Sequence, residues 1–199
     1  MRAYFARHGD KEKGDFYDPA LRHQDEPLSK AGIRGAVALA DYFAGREIGQ
    51  VYASQYLRAG QTAKFTAARK GLTVVRDARL NEIDNGVLES MNDEEIKALY
   101  PDFWADFSAR KADVRFPEGE TGEEVKARQA AFLADLARDG RDALAVCHEG
   151  YMRLLACHVL GLPVYKRHLF TVDFCGFLEI GYDGAQNGWR LIRMNQATY

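Results

Sequence analysis

Four short apolar runs in this sequence are each followed by residues able to bind or move charge. Arg7 and His8 follow residues 2–6, and Ser54, with Arg58 one turn later, follows residues 50–53. Glu82 comes after residues 72–75, and His148 after residues 143–147. Arg7 and Arg58 carry forked donors that match the oxygens of a phosphoryl group. A neutral His8 imidazole can attack phosphorus if one ring nitrogen faces it and an acceptor holds the other. A covalent phosphohistidine then divides one hard displacement into two easier ones. The leaving alkoxide needs a proton, and Glu82 can give it where burial or the nearby phosphate raises its pKa. His148 stabilises the charge on the equatorial oxygens. Gly9 and the helix starts beyond Gly9, Ser54 and His148 add backbone N–H groups to the phosphate site.

The elements that must position these residues are legible as strands alternating with helices. Besides the four runs above, residues 169–174, 177–181 and 189–193 read as strands, with Asp183-Gly184 as the turn between the last two. Residues 10–27 show no period. A helix begins at Ser29 and ends near Gly45, and Ser54 caps a second that runs through Arg69. A short helix at residues 92–99 is stopped by Pro101, and Tyr100, Phe103, Trp104 and Phe107 follow. Thr121 with Glu124 is a capping box opening a helix to about Arg138, and another runs from about Tyr151 to Leu160.

This alternation predicts an α/β fold: a three-layer α/β/α sandwich with a mostly parallel central sheet. An antiparallel edge strand and a small helical lid insertion around residues 84–120 complete it. Residues 1–199 form a single domain, without repeat or linker. Ligands of such sheets bind outside the carboxyl ends of the strands, where the five charged residues stand.

Composition narrows the classes further. The formal net charge of −2 and a pI near 6.2 speak against a nucleic-acid partner. No run is long enough to span a membrane, and the first residues lack the apolar core of a signal peptide. Three cysteines, Cys147, Cys157 and Cys175, lie in apolar segments and read as reduced thiols. A cytoplasmic location is expected.

At this point the residues resemble the histidine phosphatase superfamily, the phosphoglycerate-mutase-like family. Arg7-His8-Gly9 directly after the first strand is its hallmark. Leu28-Ser29 with Gly32 is similar to its Leu-Thr…Gly helix start, and Ser54, Arg58-Ala59 and Gln61-Thr62-Ala63 match in order. So do Leu80, Glu82, Gly86, Pro117, Gly119-Glu120-Thr121, and His148 with Arg153. The resemblance implies that His8 is phosphorylated, that Arg7, Arg58 and His148 hold the phosphate, and that Glu82 is the acid-base, without metal or other cofactor. It implies a phosphatase acting on a phosphomonoester of a small phosphorylated metabolite such as a sugar phosphate, a phosphoglycerate or α-ribazole phosphate. A phosphoglycerate mutase and a phosphohistidine or protein phosphatase are the alternatives, with a non-catalytic phosphate sensor as a fourth. Mutases of the family continue after Arg-His-Gly with Glu and a Trp-Asn pair, whereas Asp10-Lys11-Glu12-Lys13-Gly14 stands here. The stretch Glu82-Ile83-Asp84-Asn85-Gly86 also departs from their Glu-Arg-x-Tyr-Gly pattern. Both departures favour water as the acceptor. Glu149 occupies a position where many members have Gly and adds a carboxylate near the phosphate unless it turns away.

Competing readings attach to several residues. Asp84 and Glu89 share the loop of Glu82 and rival it. The histidines with Glu82 or Asp10 suit a metal by type, but two arginines would repel a cation. Cys147 adjoins His148, yet neighbours on a strand face opposite ways, which makes it core. His23, His158 and His168 are core or surface histidines. The aromatics at 100–107 either cover the site or form a satellite core, and Lys11, Lys13, Arg22 and His23 read as solvated charge or as a second anion site. An exposed edge near residues 177–181 would permit a homodimer.

Overall fold

The computed structural model describes residues 1–21 and 23–197; Arg22 of the first-loop basic group lies outside them. Strand β1 (Arg2–Arg7) is followed by the two-residue strands β2 (Tyr17–Asp18) and β3 (His23–Gln24), then helix α1 (Lys30–Ala44). Strand β4 (Gln50–Ala53), helix α2 (Leu57–Lys70) and strand β5 (Val74–Arg76) come next. Helices α3 (Asp93–Leu99), α4 (Pro101–Ala109) and α5 (Gly122–Asp139) precede strand β6 (Ala143–Cys147) and helix α6 (Glu149–Leu160). Strands β7 (Phe177–Asp183) and β8 (Gly188–Gln196) close the chain.

Six strands form one sheet in the order β5-β4-β6-β1-β7-β8. The pairs of β1 with β6, β4 with β6 and β4 with β5 are parallel, and β7 and β8 are antiparallel. Alternation along the strands divides the core into two. Ala3 and Phe5 of β1, with Ala143, Ala145 and Cys147 of β6, face Phe132, Leu133 and Leu136 of α5 and Leu154 and Leu155 of α6. Tyr4 and Ala6, with Leu144 and Val146, face Leu39 and Phe43 of α1 and Ala59, Ala63 and Ala67 of α2. All five residues of β6 are buried, as a strand covered on both faces requires. Each fully buried Phe or Leu here contributes about 1.5–3 kcal/mol of apolar burial. Cys147 is part of the first core, so its thiol faces away from the rim and burial pushes its pKa well up.

The helix ends follow the expected signals where a side chain can cap. Ser29 accepts from the Gly32 amide at the start of α1, and Thr121 and Glu124 form the capping box of α5. Ser54 does not cap α2: Tyr56 holds that place, and the Ser54 hydroxyl is drawn to His148 instead. Pro101 ends α3 and also opens α4, since its fixed φ suits a first helical turn. The third strand begins two residues later than expected, at Val74.

Residues 169–174 are not a strand. Residues Val164–Leu169 form a 3-10 helix, and the place beside β1 is already taken by β7. The segment turns instead, with Cys175 at a φ of 58° and its amide donating to the Arg7 carbonyl at 3.1 Å. Nor is β7 an edge, for it is bonded to β1 on one side and β8 on the other; the edges are β5 and β8. The stretch 10–27, without period in sequence, contains the β2–β3 hairpin and an antiparallel bridge from Lys11 to Leu28. No helix among the described residues is long and apolar enough to cross a membrane.

Candidate active site

The three parallel strands β4, β6 and β1 end at one rim and are tied there by backbone hydrogen bonds. The His8 amide donates to the Cys147 carbonyl and the Ser54 amide to the Val146 carbonyl, both at 3.0 Å. This brings His8, Ser54 and His148 to one place from far apart in the chain.

His8 is 5% exposed. Its Nδ1 lies 2.7 Å from the carbonyl of Gly9, which fixes the tautomer with hydrogen on Nδ1 and a lone pair on Nε2. Arg58 Nε donates to that Nε2 at 3.2 Å. Burial, then the Arg58 guanidinium, holds the His8 pKa well below the usual 6.5, so the ring is neutral. The Phe174 ring stands 5.7 Å from it, and the same ring carries the Arg7 guanidinium at 4.0 Å.

Gly9 contributes by its size. Its amide, expected to face phosphate, donates to Thr62 Oγ1 at 3.0 Å, and its carbonyl takes His8. No helix follows it until Lys30. A Cβ on Gly9 would lie 2.6 Å from the Gly32 carbonyl oxygen, and one on Gly32 would overlap the Asp10 carbonyl. The start of α1 is thus pressed against the loop after β1. Ser29 secures the contact, with Oγ donating to Asp10 Oδ2 at 2.6 Å while it also caps α1.

Arg58 reaches His8 from α2 and is braced behind. Its Nη1 donates to the Gln24 carbonyl at 2.6 Å and pairs with Glu26 Oε2 at 3.0 Å. Glu26 is 5% exposed and also pairs with Lys11, which answers how one basic residue of the first loop is used. Arg7 Nη1 donates to the Val172 carbonyl at 2.6 Å and pairs with Glu149 at 2.9 Å. Glu149 therefore turns toward Arg7 and stands 3.6 Å from Arg153.

His148 is 1% exposed, with Nε2 at 2.7 Å from Ser54 Oγ and the Tyr56 ring edge-on at 4.5 Å. Burial, then His8 and Arg58, hold its pKa well below 6.5. Its ring centroid is 5.1 Å from that of His8. Two buried atoms here have no partner, His148 Nδ1 and Arg7 Nε. A buried polar atom left unpaired costs about 1–3 kcal/mol, which makes both candidate donors to a ligand's acceptors.

Glu82 stands across the start of α6. Oε1 accepts the Tyr151 amide at 2.7 Å and its neighbour Ile83's at 3.0 Å, and Oε2 accepts the Gly150 amide at 2.9 Å. The α6 amides that a phosphate might have used are therefore taken by Glu82. Its loop is braced by Arg128, which donates to the carbonyls of Arg79, Asn81 and Glu82. Of its rivals, Glu89 pairs with the buried His23 at 2.8 Å and Asp84 accepts the Gly86 amide at 2.7 Å. Burial pushes Glu89 up, but His23, Asn85 and the Gln24 amide outweigh it and leave its pKa below the usual range.

Phe103 and Phe107 pack on Phe116 at 5.4 and 5.5 Å. Phe107 and Phe116 also line a cleft of about 430 Å³ bounded by Glu82, Glu149 and Gly150. The aromatic group is thus a satellite core and a cleft wall together. Trp104 is outside that wall, with Lys97 Nζ 5.0 Å above its ring. Sequence reasoning missed Glu26, Arg128 and Phe174, none of which stands beside a motif residue that its own type would single out; Thr62 is named only as part of the matching Gln61-Thr62-Ala63 stretch.

The described residues thus place two arginines, two neutral histidines and a carboxylate around one rim, an arrangement suited to holding an anion against a nucleophilic imidazole. A protein of Yersinia pestis (strain Pestoides F) named "Probable phosphoglycerate mutase GpmB" is 30% identical over 200 residues, covering 95% of this chain and 90% of the relative. The solved mycobacterial glucosyl-3-phosphoglycerate phosphatase with inorganic phosphate superposes with a TM-score of 0.83 at 25% identity, over 99% of this chain and 98% of the other. The α-ribazole phosphatase of Shigella flexneri shares the fold, with a TM-score of 0.82 at 24% identity over 98% and 96%. The family model for branch 1 matches residues 3–197, and with that match the chain belongs to the histidine phosphatase superfamily.

Proposed function

We propose that this chain is a phosphomonoesterase that hydrolyses a small phosphorylated metabolite through a phosphohistidine on His8, without a metal ion. The observation that carries this reading is the hydrogen bond from His8 Nδ1 to the Gly9 carbonyl, which leaves Nε2 as a fixed lone pair among Arg7, Arg58 and His148. In the first step the Arg58 Nε hydrogen bond passes from Nε2 to a phosphoryl oxygen, the freed Nε2 lone pair attacks phosphorus and the ester P–O bond breaks. The leaving alkoxide takes a proton from Glu82, whose Oε2 has a single amide donor and is the oxygen left to carry it. In the second step water attacks phosphorus, the N–P bond breaks and Glu82 takes the water's proton. Arg7 Nε and His148 Nδ1, buried and unpaired, supply donors to the equatorial oxygens. The helices α3 and α4, within residues 84–120, act as the lid over the leaving group. The whole described chain is read as one domain around this site.

Hydrolysis is favoured over transfer by the residues after Gly9 and by the phosphatase named among the structural neighbours. A phosphoglycerate mutase is the second reading, favoured by the names of relatives at 28–30% identity. The test is hydrolysis of p-nitrophenyl phosphate by chelator-treated protein, beside His8→Ala and Glu82→Ala. Turnover that survives chelation and disappears without His8 supports the proposal. Activity restored only by added metal overturns it, and phosphate transfer between hydroxyls without release would favour the mutase.

A further inference from the structure

The cleft beside Glu82 is lined by Arg110, Arg153 and Arg167 and by three acids; the acids have partners among the described residues, whereas the exposed Arg110 and the more buried Arg167 have none. Asp113 accepts the Gly122 and Glu123 amides at 3.0 and 2.9 Å. Glu82 accepts three amides, and Glu149 is held by Arg7. Arg153 donates through Nε to the Arg167 carbonyl at 2.9 Å and faces Glu149. Among the described residues Arg167 has no carboxylate partner within ion-pair distance, and its Nη1 is buried without any acceptor. Its guanidinium lies beside Phe107 and Phe116, 5.5 Å from each ring centroid, within reach of a cation–π contact with both. Burial lowers its pKa from the usual guanidinium value, with Asp113 opposing, and a guanidinium remains charged at neutral pH.

We infer that this cleft holds an acidic group of the leaving alcohol and that Arg167 is its anchor, so that the preferred substrates are phosphomonoesters bearing a second anionic group. The inference rests on the phosphomonoesterase reading above and names the substrate class for that site. The shared wall explains the reach: Glu82 and Gly150 border both the cleft and the place of proton transfer. An alcohol protonated by Glu82 stands at the border of the cleft where Arg167 lies. A carboxylate or a second phosphate would pair with the guanidinium bidentately.

Two matched pairs of probes test this. 3-Phosphoglycerate against glycerol 3-phosphate differs by a carboxylate, and fructose 1,6-bisphosphate against fructose 6-phosphate by a phosphate. The wild type is expected to favour the acidic member of one pair by about tenfold or more in kcat/KM. R167M keeps the stem against the two rings, and in it that ratio is expected to fall toward one; R167K should retain part of it. The favoured pair identifies the acidic group. No preference in either pair, or a preference that survives R167M, overturns the inference while leaving the phosphatase intact. No hydrolysis of p-nitrophenyl phosphate or of any of the four esters by the wild type overturns the phosphatase reading itself. Thermal unfolding of each variant separates loss of the ratio from loss of the fold.

Discussion

Ser54 Oγ and His148 Nε2 lie 2.7 Å apart although 94 residues separate them in the chain. The contact is fully buried and decides which ring nitrogen of His148 is left without a partner among the described residues. With the hydroxyl donating to Nε2, the hydrogen of His148 sits on Nδ1, where an anion can accept it. Ser54→Ala should therefore lower kcat/KM about tenfold and weaken inhibition by inorganic phosphate. Ser54→Thr, which keeps the hydroxyl, should restore most of both. Equal phosphate inhibition in wild type and Ser54→Ala would refute this role.

Glu82 has two tasks that substrates can separate. As a cap on α6 it serves every substrate alike; as a proton donor it matters most where the leaving alkoxide is poor. Glu82→Gln keeps an acceptor for the amides but has no acidic proton. Its kcat on an alkyl phosphate should fall roughly a hundredfold or more, and on p-nitrophenyl phosphate far less. Equal losses on both would assign Glu82 to structure alone.

The depressed pKa values of His8 and His148 fix a direction for stability against pH. Both rings are held neutral in the fold and carry the ordinary value near 6.5 when unfolded. Below that pH the unfolded chain binds protons that the folded chain does not. Their contribution is complete above about 6.5 and is lost as pH falls from there toward the folded values. The midpoint of thermal unfolding should accordingly drop between pH 6.5 and 5, and the drop should shrink in a His8→Asn, His148→Asn double variant. For the same reason the acid limb of kcat/KM should lie below pH 6.5 rather than at it.

Gly32 sits inside α1, where alanine would ordinarily stabilise by about 1 kcal/mol. Here the added methyl would overlap the Asp10 carbonyl, a backbone atom that cannot turn aside. Gly32→Ala should instead destabilise by about 1–3 kcal/mol. Denaturant unfolding beside Gly45→Ala, whose Cβ meets nothing, provides the control.

Glu26 is the support of Arg58. Its removal leaves a buried guanidinium with only the Gln24 carbonyl and His8, and Glu26→Ala should cost about 3 kcal/mol of stability. KM should rise with it, as Arg58 is freed from its position.

Much of this was legible in the sequence because the relevant signals are local. The alternation of 3–6 and 143–147, the Ser29 and Thr121 caps and the residues just past each strand depend on neighbours in the chain. What escaped depends on distant partners. Residues 169–174 have the apolar composition of a strand, but β7 occupies the position such a strand would need. Ser54 has the type of a cap and a better partner in His148. Glu26 and Phe174 acquire meaning only once Arg58 and Arg7 are laid beside them, and the same holds for the His23–Glu89 pair.

The strand β1, which ends at Arg7 just before His8, is bonded along both its edges, to β6 on one side and to β7 on the other. Its amide hydrogens can exchange with solvent only when the sheet itself opens, whereas those of the outermost strands can exchange by fraying. His8, the proposed nucleophile, thus follows directly on a strand of the sheet's interior. Heat should leave the protein either folded with its reactive imidazole in place or unfolded altogether, and the loss of turnover should coincide with the loss of the sheet.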